Sequence, residues 1–165
     1  MSAEEVPTGL DALLDRVRVA LGAHRHLLGW ATVDLDLAQH DLGSSGGSAE
    51  PVRAEDAPDD ALLGARCRVI HPPGADPLVL LTPSTEGRLA ASLARHGEGL
   101  AVHYLIAGPD AADRLAAGGL GMSSEADGPL GRQRLVLGGP RWGPHIVVAG
   151  LEPPPVPPRA ATIGR

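Results

Sequence analysis

The residues of this chain that could do chemistry are few, and most are histidines and arginines beside short apolar runs. The stretch "AVHYLIAGPD" sets His103 next to Tyr104. Neighbouring side chains of a strand point to opposite faces, so only one of the two can look into the interior of a sheet. Imidazole titrates near neutrality and phenol can donate a hydrogen bond or act as a weak acid, so either could serve acid/base chemistry. A third candidate, His145, opens an apolar run directly after "GGPRWGP". That Gly/Pro loop carries Arg141 and Trp142, which offer an anion partner and a stacking plane if the loop closes over a ligand, or a cover for the edge of the core if it does not.

Other polar groups have a plainer reading beside the functional one. Arg132 and Arg134 share one face of a strand, with Gln133 on the other. Paired guanidiniums suit a carboxylate or phosphate, and equally a solvated face. Arg66 and Arg68 alternate in the same way and leave Cys67 and Val69 to be buried; Cys67 has no base beside it and reads as a core residue. His26 follows His24 and Arg25 at a helix end, His40, His71 and His96 sit at element ends, and Glu98 lies between two glycines in a turn.

The composition narrows the functional classes. The chain has 165 residues, enough for one good core, and an apolar share of 43%. Phe, Lys and Asn are absent and the aromatics are Trp30, Tyr104 and Trp142, so the core must be built from Leu, Val and Ala. All 14 basic residues are Arg, which excludes lysine Schiff-base chemistry. A net charge of −6, no basic stripe and almost no aromatics disfavour nucleic-acid binding. The single cysteine fits a reducing cytoplasm, and the acidic start "MSAEEVPTG" reads as neither signal peptide nor membrane span.

The elements that must position these residues follow from spacing. Thr8 resembles an N-cap, and Leu10, Leu13, Leu14, Val17 and Leu21 recur at helical spacing, predicting a helix over 8–23 that ends near Gly22. A strand over 26–33 and a short helix in "LDLAQHDLG" come next. The stretch 43–60 is acidic and rich in Gly, Ser and Pro, and predicts a loop with a short edge strand around Val52. Strands over 62–73 and 77–83 flank the turn "PPGAD"; Ser84 or Thr85 caps a helix over 85–96, closed by Gly97 and Gly99. A strand over 100–106, a helix over 109–118 and strands in "RQRLVLG" and "HIVVAGLE" complete the pattern before an extended tail, "PPPVPP". The order is a doubled β-α-β-β pattern, hence an α+β fold.

From Leu63 to Leu100 the chain, "LGARCRVIHPPGADPLVLLTPSTEGRLAASLARHGEGL", resembles the vicinal oxygen chelate superfamily, most of all its methylmalonyl-CoA epimerase group. "GWATVDLD" is similar to that group's first strand and its Asp-Leu-Asp turn, and "RQRLVLGGPRWGPHIVVAG" follows its later pattern. The resemblance implies two β-α-β-β-β modules, about 26–83 and 100–152, joined by helix 85–96 and curved around a cavity. An extra N-terminal helix within 1–25 and a tail from 153 to 165 flank them, and the implied assembly is a homodimer.

In the family's enzymes the cavity holds a divalent metal bound by two histidines and two Glu or Gln side chains, which stabilises an enolate while a base moves a proton. Carried onto this chain, the four positions fall on Leu27, Val79, Val102 (or Ala101) and Val148 or Ala149, with His26 and His103 one residue out of register. A one-residue slip turns a strand's side chains to the other face. The register that the resemblance implies therefore puts Leu27, Gly29, Ala31 and Tyr104 inside and His26 on the helix-packed side. No cofactor or metal is expected.

Three readings of function follow. The first is a metal-independent epimerase, isomerase or cyclase acting on a small, largely apolar metabolite in a natural-product pathway. Tyr104, His103 and His145 are its acid/base candidates, and Leu27, Val79, Val102, Arg134, Arg141 and Trp142 its substrate contacts. The second is a protein that sequesters an antibiotic or metabolite in an apolar cleft, with no catalytic group. The third is a metal-dependent acyl-CoA epimerase. All three take a small molecule, with no nucleic acid or membrane as partner.

Overall fold

In the computed structural model the described residues are 9–47 and 49–150. Thr8 as a cap and the Pro-rich tail from 153 lie outside them. The element order is α1 (Gly9–Leu21), β1 (Arg25–Ala31), α2 (Leu35–Ser45), β2 (Arg53–Asp60), β3 (Ala65–His71), β4 (Leu78–Pro83), α3 (Arg88–His96), β5 (Gly99–Ile106), α4 (Ala111–Ala117), β6 (Ala126–Gly128), β7 (Gly131–Leu135) and β8 (His145–Ala149).

The eight strands form one mixed sheet in the order β2-β3-β4-β1-β5-β8-β7-β6. β1 runs parallel to β4 and β5 parallel to β8, while β1 and β5 meet antiparallel at the centre. The two halves are thus related by an approximate two-fold, each a β-α-β-β-β unit. The sheet curves until its outer edges approach, and the Ala61 N–H donates to the Asp127 carbonyl at 3.1 Å. This is an α+β fold with a nearly closed sheet and four helices.

The convex side carries α1, α2 and α4. Leu13, Leu14, Val17 and Leu21 of α1 pack with Ala111 and Leu115 of α4 over Leu105, Ile146 and Val148. Each such leucine removed from water contributes about 1.5–3 kcal/mol, which holds a helix whose intrinsic propensity alone would not. α2, capped by the Asp34 carboxylate accepting from the backbone of Asp36 and Leu37, covers Ile70 and Leu80.

The concave side is filled. Leu27, Val79, Val102, Tyr104 and Val147 meet Leu63 and Leu89 in one cluster, and Leu27, Val79 and Val102 are 5%, 0% and 0% exposed. Gly29 is required at its centre, since a Cβ there would lie 2.9 Å from the side chains of both Leu81 and Tyr104 and 3.0 Å from Val102 Cβ. The expected cavity wall of Leu27, Val79 and Val102 is therefore packed core, because Leu63 and α3 occupy the space in front of it.

Several local expectations are corrected. The acidic stretch before Asp60 is an eight-residue edge strand, β2, rather than a loop with a short strand at Val52. Low hydrophobicity suits a strand with one neighbour, and Pro58 sits at the register shift between Ala57 and Asp60. α3 begins at Arg88 after Gly87, with no side-chain cap, so neither Ser84 nor Thr85 plays the expected part. β6, which the spacing does not predict, pairs with β7, and β7 stops at Leu135.

Candidate functional site

The central strands decide which side chains can meet. Tyr104 pairs with Leu27 on one side and with Val147 on the other, all three on the concave face, while His103 pairs with Leu28 on the convex face. Tyr104 is fully buried, and its hydroxyl donates to Asp60 Oδ2 at 2.7 Å. Asp60 Oδ1 accepts from Gln133 Nε2 at 2.8 Å and from the Leu62 and Leu63 N–H groups at 3.1 and 3.0 Å. Burial pushes the Asp60 carboxyl above the ordinary carboxylate range, against these hydrogen bonds, and pushes the Tyr104 phenol well up. The Cys67 thiol nearby is pushed up to about 12, chiefly by burial. The Asp60–Tyr104–Gln133 network ties the two halves of the sheet together. Its centre, Asp60, was not singled out in the sequence, although an Asp two and three residues before backbone donors is the signature of an Asx turn.

His26 and His103 lie on the convex face beside α1. Arg18 donates to His26 Nδ1 at 3.1 Å, which leaves His26 Nε2 to carry the proton toward His103 Nδ1 at 2.9 Å. Burial, followed by the neighbouring cations, lowers both imidazoles below their ordinary value. No group of three or more His, Cys, Asp or Glu suited to a metal occurs among the described residues. The positions that the resemblance assigns to metal ligands are hydrocarbon at Leu27, Val79 and Val102, and at Val148 or Ala149; Val148 moreover faces the α1–α4 side. Side chains without lone pairs do not fit a divalent ion.

Three of the remaining candidates, Arg141, Trp142 and His145, converge at the mouth of the sheet. His145 pairs with Val102 at the start of β8 and is 6% exposed. It lines a cleft of about 410 Å³ with Arg88, Arg141, Trp142 and residues 135–140. The Arg141 guanidinium lies 4.7 Å over the Trp142 ring. Gly143 has φ +83°, and a Cβ there would stand 3.3 Å from His145 Nε2, so glycine is needed both for the turn and for room at the imidazole. His145 Nε2 is buried and has no hydrogen-bond partner, and its pKa is lowered to about 4 by burial and then by Arg88.

The lining of this cleft includes two arginines and no carboxylate, in a chain of net charge −6. An anion is the ligand it fits. Bound there, an anion would offset the Arg88 charge and raise the basicity of His145. Arg88 was not anticipated; it enters because α3 starts at the mouth, where its Nη1 donates to the Leu62 carbonyl. Arg134 is not part of this group. It pairs with Val148, on the face opposite Tyr104, and donates to the Ser123 carbonyl. Arg132 is held by Glu125 and Asp127.

No family model and no curated protein matches the sequence. Solved structures do match the fold. A methylmalonyl-CoA epimerase from Mycobacterium tuberculosis superposes with a TM-score of 0.58 at 18% identity, covering 74% of this chain and 85% of its own. A hypothetical protein from Bacillus halodurans gives 0.59 at 15%, covering 76% and 91%. A Streptomyces coelicolor methylmalonyl-CoA epimerase variant in complex with 2-nitronate-propionyl-CoA gives 0.55 at 18%, covering 78% and 99%. The paired modules, the parallel β1/β4 and β5/β8 contacts and these superpositions together establish that the chain has the vicinal oxygen chelate fold, shared with methylmalonyl-CoA epimerases.

Proposed function

We propose that this protein is an epimerase- or isomerase-type enzyme that moves a proton on a small carboxylate- or thioester-bearing substrate without a resident metal. The observation that carries this reading is His145: a neutral, buried imidazole with an unpartnered Nε2, in a cleft lined by Arg88, Arg141 and Trp142. The arginines hold the anionic end of the substrate and spread the charge that develops as a proton leaves the carbon next to a carbonyl. The imidazole accepts that proton, inversion follows when a solvent water protonates the planar enolate on its opposite face, and the Trp142 ring covers the apolar part. Such a positioned base contributes about 10²–10⁴ in rate. The likeness to epimerases of the same fold supports the reaction class.

This assignment separates the three acid/base candidates. Tyr104 is a strut that holds Asp60, and His103 serves the convex face with His26. Assembly as a homodimer remains part of the proposal. Chiral chromatography of α-substituted acids and acyl thioesters, methylmalonyl-CoA among them, after incubation with the protein and EDTA tests the reading. Epimerisation that survives EDTA and is lost in His145→Gln is expected. Epimerisation that appears only on adding a divalent ion would overturn it.

A further inference from the structure

A second concave site lies on the opposite side of the sheet, between the outer face of β1 and helix α2. It encloses about 480 Å³, within the range of small-molecule sites. Its floor is Leu28, Trp30 and Leu80, and its side wall is Leu37 of α2. Trp30 is 46% exposed, Leu28 45% and Leu37 57%, so three large apolar side chains present themselves together. Scattered exposed leucines need no explanation, but a concave group built around an indole does.

The groove is also charged with one sign. Asp41 and Glu98 line it, and no Arg or His does. Glu98 is fixed in place: its Oε1 accepts from Thr32 Oγ1 at 2.7 Å and from the Val33 N–H at 2.8 Å, and these bonds keep its carboxyl below the usual range. Both bonds use Oε1, which leaves Oε2 as an acceptor. Arg68 of β3, which reaches α2, is already held by Asp36, Asp56 and Gln39.

We propose that this groove is a second binding site, for an apolar organic cation. An aromatic or aliphatic body would lie against Leu28, Leu37 and Leu80, its cationic group over the Trp30 ring and between the two carboxylates. The site is the electrostatic opposite of the His145 cleft: one fits an anion, the other a cation, and the sheet separates them. A second copy of the chain would face an acidic rim with its own acidic rim, so charge complementarity selects the small cation over self-association.

Fluorescence polarisation with rhodamine 6G, a rigid apolar cation, and with 8-anilinonaphthalene-1-sulfonate, an apolar anion, tests this on the full chain. The cation should bind once per chain and weaken as salt rises. Trp30→Ala should weaken it by about tenfold and Asp41→Asn by about fivefold. His145→Gln should leave it unchanged. Both Trp30 and Asp41 are solvent-facing, and far-UV circular dichroism checks that the variants are folded. No binding of the cation, equal binding of the anion, or cation binding that survives both substitutions would overturn the proposal. So would a dimer in sedimentation that Trp30→Ala converts to monomer, since a second copy would then be the occupant.

Discussion

Replacing Tyr104 by Phe removes one oxygen from the centre of the molecule and tests whether the concave face is the closed network described above. The lost bond is a 2.7 Å hydroxyl-to-carboxylate contact with both partners 0% exposed. A hydrogen bond to a charged group contributes about 1.5–3 kcal/mol net, so Tyr104→Phe should cost about 2 kcal/mol. For a domain of this size that corresponds to a fall in Tm of about 4–8 °C. Urea unfolding followed by tryptophan fluorescence measures it directly, through Trp30 and Trp142. The same bond helps to hold the Asp60 carboxyl down against burial, so the gap between wild type and variant should narrow in acid as Asp60 takes up a proton. In an Asp60→Asn background the charge is gone, and the cost of Tyr104→Phe should shrink by about 1–2 kcal/mol, a coupling that a double-mutant cycle isolates. A Tyr104→Phe protein within about 0.5 kcal/mol of wild type at neutral pH would refute the network, because the surface substitutions that touch nothing fall in that range.

Two further outcomes follow from the packing and from the cleft. Gly29→Ala should destabilise by about 1–3 kcal/mol through overpacking against Leu81, Val102 and Tyr104, read as a lower urea midpoint; a neutral change would mean the concave face has room to spare. His145 binds its proton near pH 4 when folded and near 6.5 when unfolded, so below pH 6.5 the unfolded state takes up the proton first. Stability is then full above pH 6.5 and falls as the pH drops toward 4, a loss on the order of 3 kcal/mol from this group. His145→Gln should make that fall shallower, with His26 and His103 supplying part of the remainder, and a variant with the wild-type slope would show that His145 does not contribute to it.

The sequence carried the fold through its apolar spacing. Leu13, Leu14, Val17 and Leu21 mark α1, and the alternation that puts Leu27, Gly29 and Ala31 on one face and His26 on the other is the register found in β1. The contents of the concave face were less legible. Whether Val79 and Val102 wall a cavity or fill a core depends on how far Leu63 and Leu89 reach across from other elements, and strand periodicity holds no information on that. β2 escaped notice because an edge strand draws its stability from a ladder with β3 rather than from apolar residues of its own. In the cleft, Arg141, Trp142 and His145 were legible together because they are neighbours in the chain. Arg88 comes from a separate helix, and only the packing of α3 against β4 and β5 brings it near His145. The same limit hid Asp60, whose partners Tyr104 and Gln133 lie 44 and 73 residues away.

In the proposed reaction His145 moves a substrate proton without a metal. The most direct measurement is mass spectrometry of an α-substituted acyl thioester incubated in deuterated water with EDTA-treated protein. Wild type should wash one deuterium into the carbon beside the carbonyl, with the rate falling in acid as His145 is protonated. His145→Gln, folded by circular dichroism, should lose at least about a hundredfold in rate. Exchange that persists in His145→Gln, or that returns only with added divalent metal, would rule out His145 as a metal-independent base.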